Sequence, residues 1–226
     1  MATKSGNLKP VYIVIGVLVI AGLAAWTFAS FRTSSSEQVA ATYSTTVSGS
    51  VVTAGKAAPT TVDIYEDFLC PICGNFEARD GGAITKAIND GKIQVRYHPV
   101  AILNRATNPP GYSLRAGNAA VCSADAGFFA AYHTKLFAEQ PSEGSAGLTD
   151  QELIAKGQEV GAPATFAQCV TSGKHAKAIS AETQRAGKDT SLRAEGSKSF
   201  GTPTVVVNGK RADISDNQWL DNVTQQ

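Results

Sequence analysis

Two cysteines separated by two residues, Cys70-Pro71-Ile72-Cys73, are the part of this sequence best suited to chemistry. A pair at this spacing can alternate between dithiol and disulfide, provided one sulfur is readily held as its thiolate. The preceding Thr60 to Tyr65 alternates apolar and polar side chains as a strand does, and the following residues read as helix to about Asn89. Proline directly after Cys70 suits a first helical turn, where its missing N–H is not needed. Cys70 is therefore predicted at a helix start, where unpaired N–H groups and the positive dipole end favour a negative sulfur. Cys73 falls one turn further on, within reach of a mixed disulfide at Cys70. The dipole supplies ~0.3–2 kcal/mol, about one pKa unit, and Pro71 and Ile72 add no hydrogen-bonding side chain.

Two blander readings compete. A structural zinc turn needs two more ligands, but Cys122 and Cys169 stand alone and His98, His133 and His175 form no evident ligand set. No metal and no cofactor is expected. The pair could also be an inert disulfide, and only its place between a strand and a helix argues for redox activity.

The elements that must position the pair follow from periodicity. Asp90-Gly91 is a turn and Lys92 to Ile102 a second strand, so strand, helix and strand come first and a parallel pair is expected. Gly81-Gly82 is expected to bend or interrupt the first helix. Tyr112 to Gln140 reads as two helices broken near Gly127, with apolar spacing through Ala116, Ala119, Ala120, Phe128, Phe129, Tyr132, Leu136 and Phe137. Thr149-Asp150-Gln151-Glu152 is a capping box, and Ala164 to Ala186 reads as two helices split near Gly173. Pro203 to Val207 is a strand, Asn208-Gly209 a hairpin turn, Lys210 to Ala212 a return strand, and Ser215 caps a last helix. The order βαβ, a helical block, then ββα is that of a thioredoxin fold carrying a helical insertion at about 112–187.

Composition limits the rest. With 20 basic and 19 acidic residues the net charge is +1, so no strong field draws the chain to nucleic acid. Apolar residues make up 43% and charged ones 17%, which excludes disorder throughout. Residues 11–31 carry no charge and would span about 31 Å as a helix, close to the bilayer core. Lys4 and Lys9 before the run place residues 1–10 in the cytoplasm and the rest outside, as a single-pass membrane protein. A cleaved signal peptide ending near Ala29 is the competing reading, and a buried soluble helix a third. Residues 32–56, mostly Ser, Thr, Ala and Gly, read as a flexible linker, with Val51-Val52 able to begin a strand; the folded domain is 57–226.

These motifs together resemble the DsbA-like thiol:disulfide oxidoreductases, in particular the membrane-anchored actinobacterial group. The resemblance rests on Ala58-Pro59, on Glu66-Asp67-Phe68-Leu69 before the cysteine pair, on Ala119-Ala120-Val121-Cys122 and Leu136-Phe137, and on Gly201-Thr202-Pro203-Thr204 followed by Asn208-Gly209-Lys210. By itself Pro203 reads more readily as a trans-proline opening an edge strand, since most X-Pro bonds are trans. The resemblance implies a cis-proline beside the active disulfide, with the Thr202 backbone offered to an extended substrate. Cys122 and Cys169 read either as buried free thiols or, as the resemblance and an oxidising compartment imply, as a structural disulfide. The chain departs from the family in two places. The usual buried carboxylate, six residues before the first cysteine, is Ile64 here; Asp63, Glu66 or Asp67 could substitute out of register, but each reads more readily as a solvated charge and none is assigned a catalytic role. Ile72 stands where the strongest oxidants have histidine, which implies a less depressed Cys70 and a milder oxidant. His98 is expected to end the second strand, and His133 and His175 to lie on helix surfaces or be partly packed.

The function this implies is oxidation of thiols in exported proteins, with a membrane quinone-linked protein restoring the disulfide and the anchor 11–31 in the lipid bilayer. A monomer is expected. A reductase or isomerase on the same fold, and a binding module whose disulfide is only structural, are the alternatives; the reduction potential separates the first two.

Overall fold

The structure, a computed structural model, describes residues 39–224. Six strands form one mixed sheet, in the order β1-β2-β4-β3-β5-β6. They are β1 (Thr45–Ser48), β2 (Val51–Ala54), β3 (Thr60–Glu66), β4 (Ile93–Pro99), β5 (Thr204–Val207) and β6 (Lys210–Arg211). Helix α1 (Pro71–Asn89) crosses from β3 to β4, which run parallel from Thr60↔Ile93 to Glu66↔Pro99. On its other side β3 is antiparallel to β5, from Val62↔Val207 to Tyr65↔Thr204. The βαβ … ββα thioredoxin-fold order read from the sequence is the order of these elements.

Both faces of β3 are covered. Val62 and Ile64 enter the main core with Phe76, Ile84 and Ile88 of α1, whereas Tyr65 joins a smaller cluster with Val206 and Ala186. A strand covered on both sides buries its polar residues as well as its apolar ones. Asp63 and Glu66 are therefore buried, as is Asp67 just beyond the strand, and none is the solvated charge expected from sequence.

Between β4 and β5 lie five α-helices, α2 (Tyr112–Asp125), α3 (Phe129–Ala138), α4 (Asp150–Glu159), α5 (Thr165–Ser172) and α6 (Ala176–Lys188), and a short 3-10 turn at Thr190–Leu192. Their boundaries follow the expected breaks. Gly173 ends α5 in the left-handed region, and Thr149 with Glu152 forms the capping box of α4. Tyr112, Tyr132, Leu136, Leu153, Phe166 and Ile179 fill the core of this block, each at most 1% exposed. A disulfide joins Cys122 of α2 to Cys169 of α5 across a sequence separation of 47. The terminal helix is α7 (Trp219–Thr224).

Three local expectations are corrected. Helix α1 runs unbroken through Gly81-Gly82 for 19 residues. Two glycines cost about 1 kcal/mol each relative to alanine, less than α1 gains by burying Phe76, Ile84 and Ile88 at ~1.5–3 kcal/mol per side chain. Gly81 also makes room for Glu77, whose carboxyl carbon would stand 2.6 Å from a Cβ there. The folded domain starts earlier than residue 57, because β1 and β2 form a hairpin inside the expected linker. Val52 and Ala54 alternate onto the core face and are fully buried as β2 pairs with β4, Val52 opposite Tyr97. Ser215 does not cap α7: its N–H and hydroxyl donate to Asp213, while Asp216 accepts from the Gln218 N–H at the helix start. Among the described residues no helix is long and apolar enough to cross a membrane, and the expected anchor 11–31 lies outside those residues.

Candidate active site

The loop Asp67–Leu69 carries the chain from the end of β3 into α1. Asp67 shapes it: its carboxylate accepts from the Leu69 N–H at 2.9 Å and from the Leu103 N–H at 2.9 Å, and its carbonyl accepts from the Cys70 N–H at 2.9 Å. Cys70 then occupies the N-cap of α1 in extended conformation (φ −72°, ψ 115°), with Pro71 in the first turn. No side chain caps this end, so the sulfur faces the open N–H groups.

Cys70 and Cys73 are both free thiols in the structure. The Cys70 pKa is lowered to about 6, first by a hydrogen bond from the Cys73 thiol, against the effect of burial, and then by Thr202 and the Cys73 and Ile72 N–H groups. The second thiol is the largest single influence, and the N–H groups of the helix start lower the Cys70 pKa alongside it. Burial pushes the Cys73 thiol in the other direction, well above its ordinary value. The sulfurs are differentiated: one is a ready thiolate, the other a proton-holding thiol.

Thr202 and Pro203 come beside the pair, joined by a cis peptide bond. The Cys70 thiol donates to the Thr202 carbonyl at 3.4 Å. That contact belongs to the protonated sulfur; once ionised, the sulfur can only accept. The Thr202 hydroxyl is buried and makes no other hydrogen bond among the described residues, so it is free to donate to the Cys70 sulfur once that is ionised. Cys70 is 6% exposed, more enclosed than a free-standing nucleophile, but Ile72 beside it is 63% exposed. A groove of about 320 Å³ runs past Ile72, Thr202 and Pro203, lined also by Phe200, Arg211 and Ile214.

Several polar residues that read as surface or partly packed groups are buried in partnerships. His133 of α3 is 3% exposed rather than on a helix surface; it bonds Glu66 at 2.7 Å and lies 3.5 Å from Glu77. Burial opposes its charge, but the two carboxylates outweigh burial and push its pKa up to about 10. Burial also raises Asp67, to about 6. His98 is in β4 near its end, as expected, and is gripped by Asp63 at 2.9 Å and Glu182 at 2.8 Å while stacked on Tyr65. Arg96 closes on Asp63 through two hydrogen bonds of 2.6 Å. His175, also buried, bonds Asp125 at 2.8 Å. Each partnership joins residues far apart in sequence, and no local pattern announces it. Cys122, Cys169 and His175 bring ligand atoms within 4.8 Å of one another, but both sulfurs are engaged in the disulfide.

A thioredoxin-type sheet, a cysteine pair opening the helix after β3 and a cis-proline beside it define a dithiol protein of the thioredoxin class. The chain belongs to the Thioredoxin family, whose model matches residues 46–224. Its fold is similar to that of the oxidised DsbA of Mycobacterium tuberculosis, at 29% identity and a TM-score of 0.65 over 81% of this chain and 91% of that one. The fold of MdbA, a thiol-disulfide oxidoreductase from Corynebacterium diphtheriae, is likewise similar, at 24% identity and a TM-score of 0.70 over 83% and 96% of the two chains. In sequence the chain is 34% identical over 176 residues to the serine/threonine-protein kinase PknE of Mycobacterium tuberculosis. That match takes in 75% of this chain, which spans only 30% of the kinase's length. The DsbA-like resemblance read from the motifs agrees with these likenesses.

Proposed function

We propose that this chain is a thiol:disulfide oxidoreductase that introduces disulfides into exported proteins outside the cytoplasm. The observation that carries the reading is the contrast between the two sulfurs, Cys70 held near pKa 6 and Cys73 pushed well above 9.0. A substrate thiolate attacks Cys70 of the Cys70–Cys73 disulfide. The S–S bond breaks, Cys73 leaves with the electron pair and takes a proton. A second substrate thiolate then attacks the substrate sulfur of the mixed disulfide, and Cys70 departs as a stabilised thiolate. Two electrons pass from substrate to enzyme, and a quinone-linked membrane protein takes them up to restore the disulfide. Thr202 and Pro203 hold the extended substrate chain alongside Cys70. Residues 11–31 anchor the monomer in the cell membrane with residues 1–10 in the cytoplasm, and Cys122–Cys169 is structural.

A thiol of pKa about 6 lies between those of thioredoxin, about 7, and of the strongest oxidants, about 3.5. The reduction potential is accordingly expected between roughly −270 and −120 mV. Equilibration with glutathione buffers measures it; a value at or below thioredoxin's would turn the reading to a reductase. Cys73→Ala should accumulate mixed disulfides at Cys70 with exported thiol proteins. Cys70→Ser retaining full dithiol oxidation would end the enzymatic reading.

A further inference from the structure

Gln140 lies 70 residues beyond Cys70 and nevertheless touches its backbone. Helix α3 and the residues just past it grip the segment 66–70 at three places. His133 bonds Glu66, Phe137 stacks on Phe68 with ring centroids 4.7 Å apart, and the Gln140 side-chain amide reaches the loop itself. Gln140 Nε2 donates to the Phe68 carbonyl at 2.9 Å and to the Cys70 carbonyl at 3.0 Å. The Cys70 carbonyl also accepts the first helical bond, from the Gly74 N–H at 3.2 Å.

Two consequences follow from chemistry. Donors on the Phe68 and Cys70 carbonyls fix the peptide planes on either side of Leu69-Cys70, and so fix the direction in which Sγ leaves the N-cap. They also draw partial negative charge away from the neighbourhood of an ionising sulfur. With both acceptors served by the NH₂ end of the amide, Oε1 must point away, and it points at Gly74. A Cβ at position 74 would stand 2.8 Å from Oε1, closer than atoms pack. Glycine is a poor residue for the first turn of a helix, and here its bare backbone admits the amide.

We propose that Gln140 is a positioning residue that sets the thiolate stability of Cys70, and that Gly74 is the notch that seats it. The inference rests on the thiol-exchange reading of the Cys70–Cys73 pair and adds its control from the helical insertion. The test is titration of the reduced full chain by thiolate absorbance, with unfolding of the oxidised proteins as a check on the fold. Gln140→Ala should raise the Cys70 midpoint by about one unit, a roughly tenfold fall in thiolate-to-thiol ratio near pH 6. Gln140→Glu, ionised and unable to donate, should raise it further although it is nearly isosteric. Gly74→Ala alone should act like Gln140→Ala, because the amide must swing out. In the Gln140→Ala background it should add nothing. The inference is overturned if Gln140→Ala leaves the midpoint in place, or if Gly74→Ala adds its full shift in that background. A wild-type midpoint near 9 overturns both this and the thiol-exchange reading, whereas a wild type near 6 with an unmoved Gln140→Ala variant overturns this alone.

Discussion

Removing the His133 imidazole should destabilise the domain severely, and in a pH-dependent manner. Its side chain is 4% exposed, between Glu66, also 4% exposed, and Glu77, 14% exposed. Breaking a buried ion pair by deleting one partner costs about 3–5 kcal/mol, because the remaining charge is left uncompensated. Burial already pushes the Glu66 carboxyl up, so that charge is chiefly on Glu77, which His133 holds low against burial. Independently, a histidine raised from 6.5 to about 10 on folding gains about 3.5 units, or roughly 5 kcal/mol. Because the folded pKa is the higher one, that stability is fully present below pH 6.5, still about 4 kcal/mol at pH 7, and lost as pH rises through 10. Urea unfolding of oxidised wild type and His133→Gln at pH 6, 8 and 10 would measure it. The variant should be about 3–5 kcal/mol less stable at pH 6, and the gap should narrow steeply by pH 10. A gap below about 1 kcal/mol at pH 6, or two parallel pH curves, would refute the reasoning.

Other expectations follow from the same geometry. Cys122→Ser with Cys169→Ser should cost about 4 kcal/mol by the chain-entropy account of a bridge closing this loop, while leaving the Cys70 titration unchanged; denaturant midpoints and thiolate absorbance check the two halves. Asp63, lowered against the effect of burial by His98 and Arg96, stabilises the fold above its unfolded pKa of 3.8, and that contribution is lost as pH falls through its lower folded value. Asp63→Asn should therefore lose about 2 kcal/mol at pH 6 and progressively less below pH 4, as read by acid titration of unfolding. Ile72→Ser, at an exposed groove position, should change stability by under about 0.5 kcal/mol yet slow exchange with apolar thiol peptides; equal rates would remove Ile72 from the substrate path.

The architecture was readable because each of its signals is local. A strand pattern before Cys70, a proline after it, the glycine breaks near 127 and 173, the Thr149 box and the Asn208-Gly209 turn each depend on a few adjacent residues. The misreadings arose where tertiary contacts override such signals. Gly81-Gly82 reads as a break until Glu77 is seen folded against Gly81, and residues 45–54 read as linker until Val52 and Ala54 meet β4. Asp63, Glu66 and Asp67 look like ordinary surface charges, because the histidine, arginine and backbone partners that let them be buried come from distant segments. The cysteine pair and Pro203 were visible as motifs. What tunes the Cys70 sulfur, the second thiol and Thr202, and what holds its carbonyl, the amide of Gln140, is a matter of distances that sequence does not carry.

The function rests on one contrast, the great difference in acidity between the two sulfurs of one short motif. Alkylation of the reduced protein across a range of pH, with each cysteine followed by peptide mapping, tests it most directly. Cys70 should label with a midpoint of about 6, and Cys73 should resist until well above 9.0. Equal labelling of the two, or a Cys70 midpoint at the ordinary 9.0, would contradict the account.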